Sequence, residues 1–335
     1  MKVREKYSAL FFSISITLIL IIDGKTALSG AAEGIQLCIG SVIPSLFPFI
    51  TFSYILNSAL TNVSYKSIGR FFRLCGIPEG GESLLILGLL GGYPVGAQAI
   101  NDAYKNNRIT ISQGRRLLGF CNNAGPAFIF GMASSLFRNI RTLWALWGIH
   151  ILSAITVSFL IPRQKEDTIH IPPAKIVTLP NALHKGIKTI ATICGWVVLF
   201  RTLMALLVKY LYPYVPESFQ FLTSGGIELT NGFYALLNQP DMYIRFILAS
   251  CFLGFGGICV MLQTASVTSD VGLGYYFPGK VAQCAISYFL SLIIGKLLFK
   301  SNAVPLSNSA LFLLLLIISV IFLRKNSSFM ENNAV

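Results

Sequence analysis

Acidic side chains are scarce in this 335-residue chain: 13 Asp and Glu stand against 26 Lys and Arg. Charged residues of both signs make up 12% of the total, about half the share found in soluble domains. A water-soluble globular domain does not fit that composition. Histidine occurs three times, as His150, His170 and His184, too scattered for a metal site. The seven cysteines (Cys38, Cys75, Cys121, Cys194, Cys251, Cys259 and Cys284) contain no C-x-x-C pair, and most lie in apolar runs. They read as small buried hydrophobes, not as disulfides or metal ligands. No phosphate-binding loop of the G-x-x-x-x-G-K-[ST] type occurs. The glycine-rich "GGYPVG" lacks its lysine and any strand before it, which disfavours an ATP-driven pump. No nucleophile–base pair stands out, so the chain does not read as an enzyme.

What is present is apolar sequence. Hydrophobic residues account for 54%, the mean hydropathy is +0.68, and several runs reach or approach the roughly 20 residues of a bilayer-crossing helix. They do not alternate apolar and polar residues as a membrane barrel would. The fold class expected is therefore an all-α polytopic membrane protein. The net charge of +13 comes without zinc-finger spacing, an RNA-binding signature or a basic helix. It fits loops held on the cytoplasmic side and against anionic lipid, not nucleic acid.

Lys2, Arg4 and Lys6 precede an apolar run, Tyr7 to Ile22. With the small residues of "LSGAA" that pattern fits a cleaved secretory signal as well as a short first span; the span is the reading followed here. A second span is expected over Ile35 to about Asn57, containing Pro44 and Pro48. A basic loop with Lys66, Arg70 and Arg73 precedes "LLGGYPVGAQAIND". Lys105, Arg108, Arg115 and Arg116 then lead to Leu117–Leu136, which holds "FCNNAGPAF", and to a cleaner span, Leu143–Ile161. The polar stretch from Pro162 to His184, with Pro172-Pro173, joins two halves. The second half comprises Gly186–Leu211, a shorter segment Phe219–Leu237 with "SGGIELTNG", Tyr243–Val267 with "GFGGICVMLQ", Val281–Leu298, and Leu306–Leu323 before Arg324 and Lys325.

With the N-terminus inside, a full crossing by the "GGYPVG" segment would put Lys105 to Arg116 outside, against the positive-inside rule. If that segment and Phe219–Leu237 dip in and return, the basic clusters, including Arg163, Lys165 and Lys175, stay inside with both termini. The expectation is about eight spans plus two re-entrant hairpins, with Lys296 and Lys300 falling outside at a modest cost. Each half then reads long helix, hairpin, Gly-broken helix, span, and the two long helices run in opposite directions. That is an inverted repeat, a common plan of secondary transporters. The corresponding units are 1–33 (first span), 34–161 (first repeat), 162–185 (cytoplasmic connector), 186–300 (second repeat) and 301–335 (last span and tail). A literal match, Gly91-Gly92-x-x-Val95-x-x-Gln98 with Gly256-Gly257-x-x-Val260-x-x-Gln263, would pair the first hairpin with the second broken helix instead. Element order is preferred.

In lipid an unsatisfied backbone group costs several kcal/mol, so irregular backbone survives only when buried in protein or facing a wet cavity. Four segments carry such interruptions: "GGYPVGAQ", "CNNAGP", "SGGIELTNG" and "GFGG". Half-helices ending at depth aim free N–H groups at a polar or anionic group. The residues expected to bind a solute are Gly91, Gly92, Tyr93, Pro94, Gln98, Asn122, Asn123, Gly125, Asn231, Gly256, Gly257 and Gln263. The amides among them serve equally well as glue between helices. Glu228, between Gly225-Gly226 and Asn231-Gly232, and Asp102 are the candidates for coupling to an ion or proton. Asp102 and Asp270 also fit surface caps. Arg201 is a candidate partner for an anion or for Glu228, and also fits a side chain reaching for the interface. Lys280, at the start of a span, reads as an interface anchor.

The string "GGYPVGAQAINDAY…FCNNAGPAFIFG", Gly91 to Gly131, resembles the signature of the YlbJ-like sporulation integral membrane proteins. "GGIELTNG" and "GFGGICVMLQ" resemble that family's second-half motifs, and the resemblance extends from about Gly34 to Leu298. The family belongs with proteins bearing nucleoside-recognition (Gate) domains, related to regions of concentrative nucleoside transporters. The resemblance implies a role in endospore formation and movement of dipicolinic acid, a small dianion, across a forespore membrane. By position in the matched motifs it implies site roles for Glu228, Asn231, Asn122 and Asn123. The functional expectation is a secondary transporter or permease for a small polar, anionic organic solute. It resides in the cell or forespore membrane, has no cofactor beyond a coupling Na+ or H+, and leaves homo-oligomerisation open. A nucleoside-type transporter and a non-transporting sporulation scaffold are the alternatives.

Overall fold

The computed structural model describes residues 3–60, 63, 68–78, 81–163, 176–300 and 309–332. Lys2, Lys66, Lys165, His170, Pro172-Pro173 and Lys175 lie outside the described residues. Among those described there are helices and no strands. Among the described residues five helices are long and apolar enough to cross a membrane: Gly24–Leu60, Ile140–Leu160, Leu179–Tyr210, Met242–Val267 and Tyr276–Phe299.

The surface is apolar and the interior partly polar. Phe11 and Ile22, Trp144 and Phe159, Ile293 and Leu297, and Leu314 and Ile321 are exposed, while Asn122, Asn123, His150, Gln263, Lys280, Gln283 and Ser287 are buried. In water that arrangement would cost free energy on both counts. In lipid it is stabilising, because exposed Leu and Ile meet acyl chains and buried polar groups find one another.

Helix α1 (Val3–Ile22) ends at Asp23, whose carboxylate accepts from Thr26 N at 3.4 Å and caps α2 (Gly24–Leu37). A π-turn at Cys38–Val42 joins α2 to α3 (Ile43–Leu60). Pro44 has no N–H to donate into that turn, which favours the looser winding. The second span thus begins at Gly24, eleven residues before the Ile35 read from the sequence, and runs through the 33/34 boundary. Ala27, Gly30 and Gly34 explain the difference. They form a face of α2 packed on α10 (Leu179–Tyr210): a Cβ at Gly30 would touch Ala205 and the Arg201 carbonyl, and one at Gly34 would touch Val198. Further along, Cys38 faces Cys194, Tyr54 bonds Thr189 and Ser58 bonds Val177. Rising numbers on one helix meet falling numbers on the other, so the two long helices run antiparallel.

Between them in sequence come α4 (Gly69–Leu74), α5 (Glu82–Leu90), α6 (Val95–Lys105), α7 (Ile111–Leu118), α8 (Pro126–Met132) and α9 (Ile140–Leu160). Helices α5 and α6 fold back on each other about Gly91–Pro94, with Gly88 against Gly96 at the crossing. The stretch Leu117–Leu136 is not one helix: Gly119–Gly125 is non-helical and divides α7 from α8. After α10 the same order returns. Helices α11 (Glu217–Ile227) and α12 (Leu229–Leu236) form a second hairpin hinged at Glu228, with Gly225 against Gly232. A break at Gly256-Gly257 then separates α13 (Met242–Phe255) from α14 (Gly257–Val267). Both glycines have φ above +80°, a left-handed conformation that a side chain disfavours. Helices α15 (Tyr276–Phe299) and α16 (Ser309–Asn332) complete the chain's described part. The literal Gly-Gly match therefore joins unlike places, a hairpin turn and a mid-helix break.

Three basic stretches meet at one end. Arg116 is buried, not a loop charge as its neighbours suggested, and donates to the carbonyls of Cys75, Gly76, Ser158, Ile161 and Pro162. Arg163 donates to the Leu74 carbonyl. The N-terminus of α2 and the C-terminus of α10 lie at the opposite end, joined by Lys209 Nζ–Asp23 Oδ2 at 2.6 Å.

Candidate functional site

The interruptions converge. Gly91, Gly92 and Tyr93 from the first hairpin tip, Ala124 and Gly125 from the unwound segment, Glu228 to Thr230 from the second hairpin, and Val260 and Gln263 from α14 line one cavity of about 60 Å³. Ser41, Val42 and Ser45, at the π-turn, complete one wall, and Ile193 and Val197 of α10 another. The volume accommodates a few water molecules, well below the roughly 300 Å³ and upward of a small-molecule pocket.

Glu228 is buried and caps α12. One carboxylate oxygen accepts from Thr230 N at 3.0 Å; the other accepts from Asn231 N at 2.7 Å and from the Thr230 hydroxyl. A helix N-terminus thus compensates a carboxylate that faces the cavity. Asn231 lies on the far side of that cap. Its Oδ1 accepts from Arg201 Nη1 at 2.5 Å, and Arg201 also pairs with Glu33 at 2.7 Å. Arg201 and Asn231 form the inner wall of a larger cleft, about 800 Å³, shared with Lys25, Glu33, Lys209 and Tyr212 at the α2/α10 end. Arg201 therefore meets Asn231 and Glu33, and reaches Glu228 only through the hairpin.

The other candidates divide between cavity and scaffold. Gln98 accepts from Tyr54 Oη at 2.6 Å and from Thr189 at 3.3 Å, tying α6 to α3 and α10. Asn122 accepts from Ala97 N and donates to Thr264, holding the unwound segment to α6 and α14. Asn123 accepts from Lys280 Nζ and Gln283 Nε2 of α15. Pro94 opens α6, and Gly256 and Gly257 form the break, with the Tyr93 hydroxyl close to Gly256. Asp102 is partly buried near the outer end of α6, with Lys105 and Lys185 as its neighbouring charges and no place in the cavity lining.

Two residues of consequence escaped the sequence reading. Lys280 is not an interface anchor: it is buried against the unwound segment. His150 accepts from Ala124 N at 3.0 Å, which satisfies a donor freed by the unwinding. The Lys280-x-x-Gln283 spacing places both side chains on one face of α15 and was the available signal for the first. A lone histidine in an apolar helix offered none for the second.

Asp270, beyond α14, accepts from Asn101 Nδ2 at 2.9 Å and pairs with Lys105 at 3.0 Å. The Asn101 bond, then the Lys105 bond, hold its carboxyl below the ordinary carboxylate value. A lowered folded-state pKa contributes stability above the unfolded value, about 3.9, that is lost as pH falls through the folded one. The difference in thermal stability between wild type and Asp270→Asn is expected to be equal at pH 7 and pH 5 and to close below about pH 4. A gap that instead widens on acidification contradicts this placement.

No protein-family model matches the chain, and no solved structure matches it. The sporulation integral membrane protein YlbJ of Bacillus subtilis (strain 168) is 23% identical over a 345-residue alignment, which covers 89% of this chain and 84% of that protein. The likeness runs along nearly the whole length, and the described residues, all-helical with five membrane-length apolar helices, suit an integral membrane protein similar to YlbJ.

Proposed function

We propose that this YlbJ-like protein is a secondary transporter or permease for a small polar, anionic organic solute in the cell or forespore membrane, with dipicolinic acid the first solute to test. The observation that carries the reading is the cavity where both hairpin tips, the unwound segment and α14 meet. A purely structural bundle has no need to unwind helices toward one point and leave space there. The repeated element order and the antiparallel long helices support an inverted repeat, and the polar tips support re-entrant hairpins. With the basic end inside, as the positive-inside rule favours, both termini are cytoplasmic and the 800 Å³ cleft opens to the other side. The small central cavity then represents a carrier closed around its centre, and a solute enters as the hairpin tips part.

Glu228 is the coupling group in this reading, exchanging a proton or Na+. Glu228→Gln keeps the side chain's size and removes its charge. In proteoliposomes it is expected to abolish accumulation of dipicolinate against a gradient while sparing one-for-one exchange. Accumulation at the wild-type rate rules out coupling through Glu228. Nucleosides compared in the same vesicles separate the nucleoside-type alternative. A scaffold predicts that neither solute moves and that alanine at Asn122, Asn231 and Gln263 leaves sporulation intact.

A further inference from the structure

Among the described residues the buried Lys280 amine has no acidic partner. The described ion pairs are Lys105–Asp270, Arg201–Glu33 and Lys209–Asp23, and Lys280 belongs to none of them. Its Nζ donates to Asn123 Oδ1 at 2.9 Å and to Gln283 Oε1 at 2.7 Å. The ring centroids of Tyr93 and Tyr276 lie 5.3 and 5.8 Å away. Neutral oxygens and aromatic faces, without a carboxylate, are the surroundings that suit a weakly hydrated monovalent cation. They come from three places: the first hairpin tip (Tyr93), the unwound segment (Asn123) and α15 (Tyr276, Gln283). The second amide is itself held, since Gln283 Nε2 donates to Asn123 Oδ1 at 3.1 Å and to the His150 carbonyl at 3.3 Å. Both acceptors are thus oriented with their oxygens toward the ammonium.

We propose that Asn123, Gln283, Tyr93 and Tyr276 form a monovalent-cation site whose resident cation is the ammonium of Lys280. The covalent tether keeps the site filled, so no cation from solution exchanges there. The ammonium fixes the hairpin tip to the unwound segment independently of the ionic conditions. The proposal does not depend on transport, and its test does not measure transport.

Removing the tethered ammonium is expected to leave a site that a free cation fills. Lys280→Ala and Lys280→Met are purified in detergent, and thermal unfolding is followed in choline, sodium, potassium and ammonium chlorides at equal ionic strength. Wild-type Tm is expected to be the same in all four. Lys280→Ala is expected to melt lower than wild type in choline. Ammonium should then raise its Tm saturably by about 3 °C or more, potassium less, and sodium least. Lys280→Met, whose thioether arm fills the vacated space, is expected to show no such gain. A Lys280→Ala protein whose Tm ignores the identity of the cation overturns the proposal, as does a Lys280→Met protein as stable as wild type in choline. If Lys280→Ala yields no folded protein in choline, it is extracted and purified in ammonium throughout. Monodisperse protein in ammonium alone supports the site; none in either salt overturns it.

Discussion

Arg116→Met is expected to cost about 3–5 kcal/mol of stability, enough to remove most folded protein from a membrane extract. The side chain is 3% exposed and bonds five carbonyls. Cys75 and Gly76 follow α4; Ser158, Ile161 and Pro162 belong to the end of α9. Those carbonyls belong to chain ends that lack helical partners of their own. The guanidinium satisfies them from one planar group and also lies 5.3 Å from the Phe120 ring centroid. Methionine reaches only as far as the Nε position and supplies no donor. Each buried carbonyl left without a partner then costs about 1–3 kcal/mol, part of which entering water relieves. Arg116→Lys is expected to rescue little, because one ammonium cannot span acceptors that a rigid fork reaches on both sides. Yield of monodisperse protein and Tm in detergent provide the check; a loss below about 1 kcal/mol contradicts the account.

Gly88→Ala is expected to be as damaging, for a steric reason. A Cβ at Gly88 would coincide with the carbonyl oxygen of Cys121, and one at Gly96 would lie 2.5 Å from the same oxygen and 2.9 Å from the Gly88 Cα. The two arms of the first hairpin and the unwound segment touch backbone to backbone. No side chain can swing aside, so a methyl group must push whole segments apart at a cost of about 3 kcal/mol or more. Gly148→Ala, on α9 with nothing within 4 Å of its Cβ, is the control. It is expected to be neutral or stabilising by about 0.5–1 kcal/mol, because alanine suits a helix better. Equal behaviour of the two variants in a thermal melt would mean that the crossing is loose.

Much of the layout was legible because its signals are local. Gly91–Pro94 and Gly256-Gly257 break helices by their own chemistry, and Glu228 sits between Gly225-Gly226 and Asn231-Gly232, whose glycines let the hairpin arms close up. What escaped depends on partners distant in sequence. The second span read as starting at Ile35, yet α2 is helical from Gly24 because its small face fits α10 and Glu33 finds Arg201. Arg116 looked like its loop neighbours, and the five carbonyls that bury it lie 40 to 46 residues away in both directions. Lys280 looked like an anchor because lysines at span ends usually are; Asn123, 157 residues away, makes it an interior group.

The central claim is that two hairpins and two broken helices enclose a path for a solute. Uptake of labelled dipicolinate by vesicles holding the purified protein, measured beside protein-free vesicles, tests it most directly. The account predicts saturable uptake above the protein-free rate, reduced by excess unlabelled dipicolinate. Uptake equal to that of protein-free vesicles at every concentration, from protein that is folded and monodisperse, would contradict it.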